Sequence, residues 1–304
     1  MKLDLARKPT PLEKIEIRGK TVFVKRDDLT EFIASGNKIR KLEYLLGEAV
    51  AMGADTVITC GALQSNHARA TSYLSIKLGK KPVVFLKEWH PGKKSGNFFL
   101  DRVMGVEIHV ITPEEYEEVD KIMEDYAKKL EKEGRKAYVI PEGGSNTTGA
   151  KGYVDMVHEL SRQIDLSEVD AIYLATSSTG THAGILAGLK MLGYRRVEVR
   201  GVVVHKKPKE LVAEKIKGLL KGLGIDDEGI ILVGGFEGPD YAIPADEDVQ
   251  MIKEAGRVGI ILDPVYTAKA FRGMLETMGE KERVIFVHTG GTFGLFAQEN
   301  VMGE

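Results

Sequence analysis

Apolar and polar positions follow two different periods along this chain. Short apolar runs such as 56–60 and 171–175 are bounded by polar or turn-forming residues, which is typical of buried strands. Between them lie longer stretches with apolar residues three and four positions apart, which is the spacing of amphipathic helices. Strands and helices that alternate in this way favour parallel sheets with helices on both faces.

The pattern predicts two such series, joined by the turn-rich segment 141–146, which is the best candidate for a hinge. Predicted strands of the first series lie at 21–26, 56–60, 82–87, 106–110 and 137–140, and its helices at 38–52, 66–78, 95–104 and 113–133. Predicted strands of the second lie at 171–175, 198–204, 229–233 and 283–288, and its helices at 149–164, 181–192, 208–222, 245–257 and 266–278. The predicted fold class is therefore α/β with two domains, each a twisted, mostly parallel sheet flanked by helices.

The composition is that of a globular protein: of 304 residues, 43% are hydrophobic and 29% are charged, and the length suggests roughly two domains. A net charge of −2 gives no support for a nucleic-acid or membrane partner. The single cysteine, Cys60, excludes an intrachain disulfide and lies in an apolar run, so we expect a buried strand residue rather than a nucleophile. The first residues lack the apolar core of a signal peptide, and no stretch approaches the ~18 apolar residues of a membrane span. We therefore expect a cytoplasmic protein.

The run Ser35-Gly36-Asn37-Lys38 precedes a predicted helix, which its serine or asparagine can cap. The first helical turn then carries Lys38, Arg40 and Lys41, although cations at a helix N-terminus oppose the helix dipole. A lysine at a positive helix end loses proton affinity, which favours the neutral amine that forms Schiff bases. Taken alone, these residues favour the simpler interpretation of a solvated basic turn, and the rest of the chain has to decide between the two.

Ligands of open α/β sheets bind beyond the carboxyl ends of the strands, so the residues that follow each strand are the first candidates for a site. Strand 56–60 is followed by Gln64-Ser65-Asn66-His67, where Ser65 is a plausible N-cap and Asn66 and His67 fall in the exposed first turn of the next helix. Ser65 lacks a G-x-S-x-G context, which disfavours a hydrolase. The alternative is a capped helix without a ligand.

Strand 171–175 is followed by Thr176–Gly184, a segment rich in hydroxyl side chains and glycine that leads into a helix. Backbone N–H groups and hydroxyls at such a helix start can bind an anion and suit a phosphate. The order of residues matches neither a nucleotide P-loop nor G-x-G-x-x-G, which argues against a nucleotide. A hydroxyl-rich cap without a ligand is equally compatible with this segment.

Candidate site residues also gather near the end of the chain. Thr289-Gly290-Gly291 follows the last predicted strand, and glycines at that place suggest close approach of the backbone to a ligand. Tyr241 and Tyr266 lie upstream, within Pro239–Tyr241 and Asp263–Thr267. The seven histidines show no metal-ligand spacing, so no metal site is expected.

Together these segments resemble the pyridoxal-phosphate enzymes of the tryptophan synthase β-like fold, fold type II. The resemblance rests on their order along the chain: Gly36-Asn37-Lys38, Gln64–His67, the hydroxyl-rich segment, Asp263–Tyr266 and Gly290-Gly291. Within that fold the chain is similar to the family of 1-aminocyclopropane-1-carboxylate (ACC) deaminase and D-cysteine desulfhydrase, over residues 25 to about 295. The resemblance implies pyridoxal 5′-phosphate as cofactor, a small amino-acid substrate and a homodimer. It also implies a large cofactor-binding domain, residues 1–50 and 147–304, and a smaller α/β domain, residues 51–146.

The resemblance assigns cofactor contacts to single residues. Lys38 corresponds to the lysine that forms the Schiff base with the cofactor, and Asn66 to the residue that hydrogen-bonds its ring hydroxyl. Thr289 lies where the pyridine nitrogen is expected. The phosphate would be held by Ser178, Thr179, Gly180 and Thr181.

The same resemblance assigns substrate contacts to Ser65, Asn66, His67, Tyr241 and Tyr266. Ser65 would lie near the substrate carboxylate and the reacting carbon, and the two tyrosines would face the substrate. Lys38 or a base linked to a tyrosine would remove the α-proton, and either tyrosine could protonate the leaving group. The implied catalytic residues are thus Lys38, Ser65, Tyr241 and Tyr266, whereas Arg40 and Lys41 are left as solvated or structural.

The two activities of the family differ at the pyridine nitrogen. Deaminases carry Asp-Pro-Val-Tyr-Glu and His-Leu-Gly-Gly, whereas this chain has Thr267 and Thr289 in place of the glutamate and the leucine. It also has His67 where deaminases tend to have glutamine. A carboxylate beside the nitrogen favours its protonation and a strong electron sink, whereas a hydroxyl supports a neutral ring, which suffices to expel a good leaving group.

We therefore expect a β-elimination of the D-cysteine desulfhydrase type, which gives pyruvate, ammonia and sulfide. Three alternatives stay open. The first is ACC deaminase, which gives 2-oxobutyrate and ammonia, and the second is another β-eliminase of this fold, acting on cysteate, a chloroalanine or D-serine. The third is a non-catalytic, two-lobed protein that binds a small molecule.

Overall fold

The computed structural model describes residues 1–88, 94–240 and 242–298. Its strands are β1 (Leu12–Ile17), β2 (Lys20–Lys25), β3 (Thr56–Ala62), β4 (Lys81–Lys87), β5 (Glu107–Ile111), β6 (Ala137–Val139), β7 (Ala171–Thr176), β8 (Glu198–Val203), β9 (Ile230–Val233) and β10 (Val284–Val287). Its helices are α1 (Lys38–Ala51), α2 (Asn66–Lys77), α3 (Gly96–Val103), α4 (Pro113–Glu117), α5 (Val119–Lys132), α6 (Thr147–Leu160), α7 (Gly180–Met191), α8 (Lys209–Gly222), α9 (Asp246–Arg257), α10 (Thr267–Thr277) and α11 (Thr292–Leu295). The predicted alternation of strands and helices is confirmed.

The strands form two sheets. The larger has the order β1-β2-β10-β7-β8-β9 and is parallel except for β1, and the smaller has the order β5-β4-β3-β6 and is parallel throughout. The α/β fold class is therefore confirmed. Strands of the smaller sheet all come from residues 56–139, and those of the larger come from both sides of that segment. The domain boundaries near residues 50 and 146 remain a prediction.

The sequence pattern missed two elements and merged two others. Strand β1 pairs antiparallel with β2 at the edge of the larger sheet, and its mostly half-exposed residues lack a continuous apolar run. Helix α11 is only four residues long. The predicted helix 113–133 is two helices, because the backbone leaves helical geometry at Glu118.

Both faces of the central strands are buried, as expected where helices cover a parallel sheet. Residues 171–174 of β7 and 284–287 of β10 are fully buried, and α6 and α7 pack on this sheet. Cys60 is likewise a buried residue of β3, as predicted. Within the described ranges, no helix combines the length and the apolar character needed to cross a membrane.

Strand β10 places the end of the chain next to its beginning. Ile285 of β10 lies opposite Phe23 of β2 on one side and Ile172 of β7 on the other. Because the three strands are parallel, the segments that follow them emerge at the same edge of the larger sheet. These segments include Lys38, Ser178 and Thr289, each of which is more than a hundred residues from the next in the sequence.

Helix α1 begins at Lys38, as predicted, but its first turn is not a solvated basic turn. The side chain of Asn37 makes no capping bond to the helix and instead donates to the Thr181 hydroxyl, 3.0 Å away. Arg40 and Lys41 are 1% and 0% exposed. The interpretation of Arg40 as structural, which the sequence left open, is the one that its contacts support.

Arg40 is the centre of a buried ionic network. Its guanidinium donates to both carboxylate oxygens of Asp27 at 2.8 Å and to both of Glu159 at 2.9 Å. Lys25 and Tyr153 extend the network, since the Lys25 ammonium lies 2.6 Å from Glu159 and the Tyr153 hydroxyl donates to Asp27 at 2.7 Å. The network thus ties the start of α1 to the turn after β2 and to α6.

We expect Arg40→Ala to lower the free energy of unfolding by about 3–5 kcal/mol, because it leaves the Asp27 carboxylate buried without its ionic partner. Urea denaturation of the cofactor-free protein measures this. Arg18→Ala is the matched control, since Arg18 pairs with Glu254 at the surface, and its loss should cost less than about 1 kcal/mol. Equal losses in the two variants would contradict the assigned importance of the network.

Candidate active site

The loop before α1 and the loop after β10 touch through glycines. A Cβ on Gly36 would lie 2.6 Å from the Thr289 carbonyl oxygen, and one on Gly290 would lie 2.7 Å from the Gly36 Cα. Both glycines also have positive φ angles, which other residues rarely adopt. The amide of Asn37 donates to the same Thr289 carbonyl at 3.0 Å. The structure therefore brings Lys38 and Thr289 into one site.

Lys38 projects from the first turn of α1 toward the loops that follow β6 and β7. Its ammonium nitrogen lies 3.4 Å from the Ser178 hydroxyl and near Gly143, whose Cβ, if present, would be 3.5 Å away. Burial lowers the pKa of Lys38 to about 8, and the Glu142 carboxylate opposes this shift. Lys38 is therefore more often the neutral, nucleophilic amine near neutral pH than a lysine of ordinary pKa is.

The predicted phosphate cradle, Ser178–Thr181, forms the start of α7. Thr179 has a positive φ of 68°, which turns the chain into the helix, and the Gly180 amide donates to the Ser145 hydroxyl at 2.7 Å. The other amides of the first turn have no partner within the helix. Such a helix start can bind an anion, and the binding of a phosphate by Ser178–Thr181 stays a prediction.

Lys41 is a candidate residue that the sequence reasoning missed. Its ammonium is buried, and within the described residues its hydrogen bond goes to the Gly143 carbonyl at 3.2 Å. A Cβ on Gly180 would lie 3.0 Å from this ammonium, so the charge faces the positive end of α7. Burial and the nearby Lys38 lower the pKa of Lys41 well below its usual value. A bound anion would relieve this repulsion.

The spacing of Lys38 and Lys41 could have indicated this role. Residues three apart on a helix lie on the same face, so the two lysines point to the same side of α1. What the spacing could not indicate was burial without a carboxylate partner, because that depends on the loop after β6 and on α7.

Ser65, Asn66 and His67 follow β3, and their side chains differ in burial and in hydrogen-bond partners. Ser65 caps α2, since its hydroxyl accepts a hydrogen bond from the Ala68 amide at 3.1 Å, as predicted. Asn66 is half-buried, and its side-chain oxygen accepts hydrogen bonds from Arg69 and Asn97, both at 3.1 Å. The expectation of an exposed His67 is wrong: it is 3% exposed, and its Nε2 lies 2.9 Å from the Thr59 hydroxyl.

His67 lies inward because β3 and the loop after β6 close over it. The Thr59 hydroxyl also bonds to the Ile140 carbonyl, at 2.9 Å, and a Cβ on Gly144 would lie 3.4 Å from the imidazole. Burial, with the positive charges of Lys38 and Lys41, lowers the pKa of His67 well below its usual value. The imidazole is therefore neutral, and its contact with substrate stays a prediction.

The hydroxyls of Thr267 and Thr289 are not equivalent. Thr267 is fully buried, and its hydroxyl accepts from the Asp263 amide and donates to the Asp263 carboxylate, both at 2.7 Å. The Asp263 carboxylate also accepts from three amides of its own turn. In the described part of the chain the Thr289 hydroxyl has no hydrogen-bond partner. Of the two threonines, only Thr289 therefore has a hydroxyl free for a ligand.

Of the two tyrosines assigned to the substrate, Tyr266 lies within the described residues. Tyr266 is half-buried at the start of α10, and its amide donates to the Asp263 carboxylate at 3.0 Å. Tyr241 lies outside the described residues. The catalytic roles of both stay predictions.

The side chains of this site suit a ligand that carries an aldehyde, a phosphate and an aromatic ring. A half-buried amine of lowered pKa suits an aldehyde, and a buried cation at a helix start suits a phosphate. The free Thr289 hydroxyl and the amide of Asn66 can serve the polar edges of an aromatic ring. The fold and the site thus define an enzyme that uses pyridoxal 5′-phosphate.

Comparison with known proteins agrees. The family model for pyridoxal-phosphate dependent enzymes matches residues 3–290. A Thermotoga maritima protein named "Putative 1-aminocyclopropane-1-carboxylate deaminase" is 51% identical, with 98% of each chain covered. The Arabidopsis thaliana "Bifunctional D-cysteine desulfhydrase/1-aminocyclopropane-1-carboxylate deaminase, mitochondrial" is 37% identical, over 99% of this chain and 80% of its own. The crystal structure of an ACC deaminase homologue superposes with a TM-score of 0.90 at 37% identity, over 99% of this chain and 95% of that one.

The chain belongs to the pyridoxal-phosphate-dependent enzymes of fold type II, in the family of ACC deaminase and D-cysteine desulfhydrase. The predicted family, fold, cofactor and enzyme class are confirmed.

The rate at which cofactor attaches to cofactor-free protein should report the lowered pKa of Lys38. We expect the rate to rise with pH to a midpoint at about 8, since only the neutral amine attacks an aldehyde. In Glu142→Gln the midpoint should move to lower pH, because the carboxylate that favours the ammonium is gone. Stopped-flow absorbance measures the rate, with Glu214→Gln on exposed α8 as control. A wild-type midpoint near the ordinary lysine value of about 10.4 would refute the assignment.

Proposed function

We propose that this enzyme is a lyase of the D-cysteine desulfhydrase type, which converts its substrate to pyruvate, ammonia and sulfide. The observation that carries the proposal concerns the turn Asp263–Thr267, where deaminases place a glutamate. Here Thr267 stands at that position with its hydroxyl used locally, and the Asp263 carboxylate is saturated by its own turn. With Thr289 as the remaining partner, a neutral pyridine nitrogen is favoured. Such a ring suits a substrate that carries a good leaving group.

The cofactor would be held by residues that follow strands of both sheets. Lys38 would bind it covalently, Asn66 would donate to its ring oxygen, and Thr289 would face its nitrogen. The phosphate would lie at the start of α7, against the residues Ser178, Thr179, Gly180 and Thr181, with Lys41 as the balancing cation. When bound, the cofactor supplies an aldehyde that combines with amines and a conjugated ring that takes up the electron pair of a broken C–H bond.

The residues of the chain then provide orientation and proton transfer. Ser65, with the neighbouring Asn66 and His67, would hold the substrate carboxylate. The amine of Lys38, whose pKa is lowered by burial, can take the α-proton near neutral pH. Tyr241 or Tyr266 would give a proton to the departing hydrosulfide. Loss of hydrosulfide and addition of water yield pyruvate, ammonia and sulfide.

ACC deaminase is the second candidate, because the Thermotoga maritima relative of 51% identity carries that name. Purified enzyme should be incubated separately with D-cysteine, L-cysteine, D-serine, β-chloro-D-alanine and ACC, and the keto acid identified in each case. We expect pyruvate from D-cysteine as the dominant product. Dominant 2-oxobutyrate from ACC would establish the deaminase instead. Absence of turnover, with no borohydride-trapped cofactor on Lys38, would indicate a non-catalytic binder.

Lys41→Met tests the assignment of the phosphate. The substitution removes the cation but keeps an unbranched side chain only one atom shorter, so cofactor affinity should fall by about 10- to 100-fold, the range for a hydrogen bond to a charged group. The cofactor-free protein should become more stable, because a buried and poorly paired charge is removed. Equilibrium dialysis and urea denaturation measure the two effects, with the exposed Lys151→Met as control. Unchanged cofactor affinity would refute the role of Lys41.

We also propose a cytoplasmic homodimer. Support for a dimer comes from exposed apolar side chains around α3 and α11, namely Phe32, Phe99, Val103 and Phe296. Large apolar side chains that are this exposed are frequent in contact surfaces between chains. Light scattering should give twice the mass of one chain. The single buried cysteine suits a reducing compartment, which cell fractionation would identify.

A further inference from the structure

Arg69 lies on α2, one turn beyond Asn66, and is fully buried without an ionic partner at contact distance in the described residues. Its Nη1 donates to the Asn66 Oδ1 at 3.1 Å and to the Asn97 Oδ1, and its Nη2 donates to the Ser35 carbonyl at 2.8 Å. The face of the guanidinium lies 4.8 Å from the ring centroid of Phe293. Every hydrogen bond of this side chain therefore goes to a neutral oxygen near the site.

These contacts decide the orientation of two amide side chains. A guanidinium only donates hydrogen bonds, and although burial lowers the pKa of Arg69 to about 10, it stays cationic at neutral pH. The atoms of Asn66 and Asn97 that face it must therefore be oxygens. The nitrogen of Asn97 then donates to the Asn66 Oδ1 at 3.1 Å and to the Gln64 carbonyl at 2.9 Å.

Asn66 consequently has its oxygen held by two donors and its nitrogen directed the other way. No described residue accepts a hydrogen bond from that nitrogen, and the side chain is only half-buried. The Asn97 backbone is fixed in turn, because its amide donates to the Gln64 side chain at 2.9 Å. The free donor of Asn66 is thus set by a rigid group of side chains from α2, α3 and the loop before α2.

We propose that Arg69 and Asn97 are positioning residues that hold the Asn66 amide with its nitrogen toward the oxygen of the cofactor ring. The proposal rests on the function proposed above, in which Asn66 donates to that oxygen. With the amide inverted, two oxygens would face each other and the hydrogen bond would be lost. Arg69 also holds the Ser35 carbonyl, so the same side chain links Asn66 to the loop that precedes Lys38.

Asn97→Asp is the sharpest test, because it keeps the shape of the side chain and its contact with Arg69. The aspartate cannot donate to the Asn66 oxygen and attracts the Asn66 nitrogen instead, whereas Arg69 still donates to that oxygen. The two neighbours then favour opposite orientations of the Asn66 amide, so the fraction with its nitrogen toward the ring should fall. We expect the dissociation constant of the cofactor, measured by dialysis of the holoenzyme, to rise by about tenfold, as for one lost hydrogen bond. The pH midpoint of the visible absorption of bound cofactor should rise too, because a donor favours the deprotonated ring oxygen.

A double-variant cycle with Asn66→Ala separates positioning from general packing. In the Asn66→Ala background, Asn97→Asp should change the dissociation constant by less than about twofold. An undiminished effect in that background, or no effect of Asn97→Asp in the wild type, would overturn the proposal. Arg69→Lys is the second variant: it keeps the charge, cannot span the three oxygens, and should shift the pH midpoint in the same direction.

The cycle also tells failure of this proposal from failure of the proposed function. If Asn66→Ala leaves both the dissociation constant and the pH midpoint unchanged, Asn66 does not contact the ring, and the positioning role fails with it. If Asn66→Ala weakens binding but the two variants act independently, the role of Asn66 stands and the positioning role alone is overturned. Circular dichroism of each holoenzyme confirms that the variants are folded.

Discussion

The contact of the Arg40 guanidinium with Asp27 and Glu159 fixes the first turn of α1, which carries Lys38 and Lys41. Three cations in the first turn of one helix oppose its dipole, and the structure accommodates each by a different means. Arg40 is neutralised by two buried carboxylates, Lys38 gives up proton affinity, and Lys41 is left facing a second helix start. Because Arg40 anchors the turn, the two lysines can be held in positions that would otherwise be unfavourable.

The order of strands and helices could be predicted from the sequence, because apolar period and helix caps are local properties. The cap at Ser65 is of this kind. Helix α1 begins at Lys38 as predicted, but without the side-chain cap on which that prediction rested. The partners of Arg40 are not, since Glu159 is more than a hundred residues away and is brought near only by the packing of α6 on α1. The burial of His67 depends in the same way on the loop after β6, and the use of Thr267 depends on the exact geometry of its turn.

Glycines allow the loops that carry Lys38 and Thr289 to pack directly against each other, although they are far apart in the sequence. Gly36 and Gly290 approach so closely that no side chain fits between them, and Gly291 lies equally close to the Asp263 side chain. The loop with Lys38, the loop with Thr289 and the turn with Thr267 are therefore mutually fixed. Under the proposed function, this arrangement would make the residue at 289 the determinant of the charge near the ring nitrogen, because its carbonyl contacts the loop of Lys38 and the nearby Gly291 contacts Asp263.

The same arrangement links folding to the cofactor. Burying Lys38 and Lys41 together costs free energy, since burial lowers the pKa of both, Lys38 lowers that of Lys41 further, and neither has a carboxylate at contact distance in the described residues. A ligand that brings an anion to α7 and an aldehyde to Lys38 removes both penalties, so it binds the folded chain in preference to the unfolded one and stabilises it by mass action. Under the proposed function, the local violations at the start of α1 would be resolved by a group outside the chain, which accounts for the failure of local rules there.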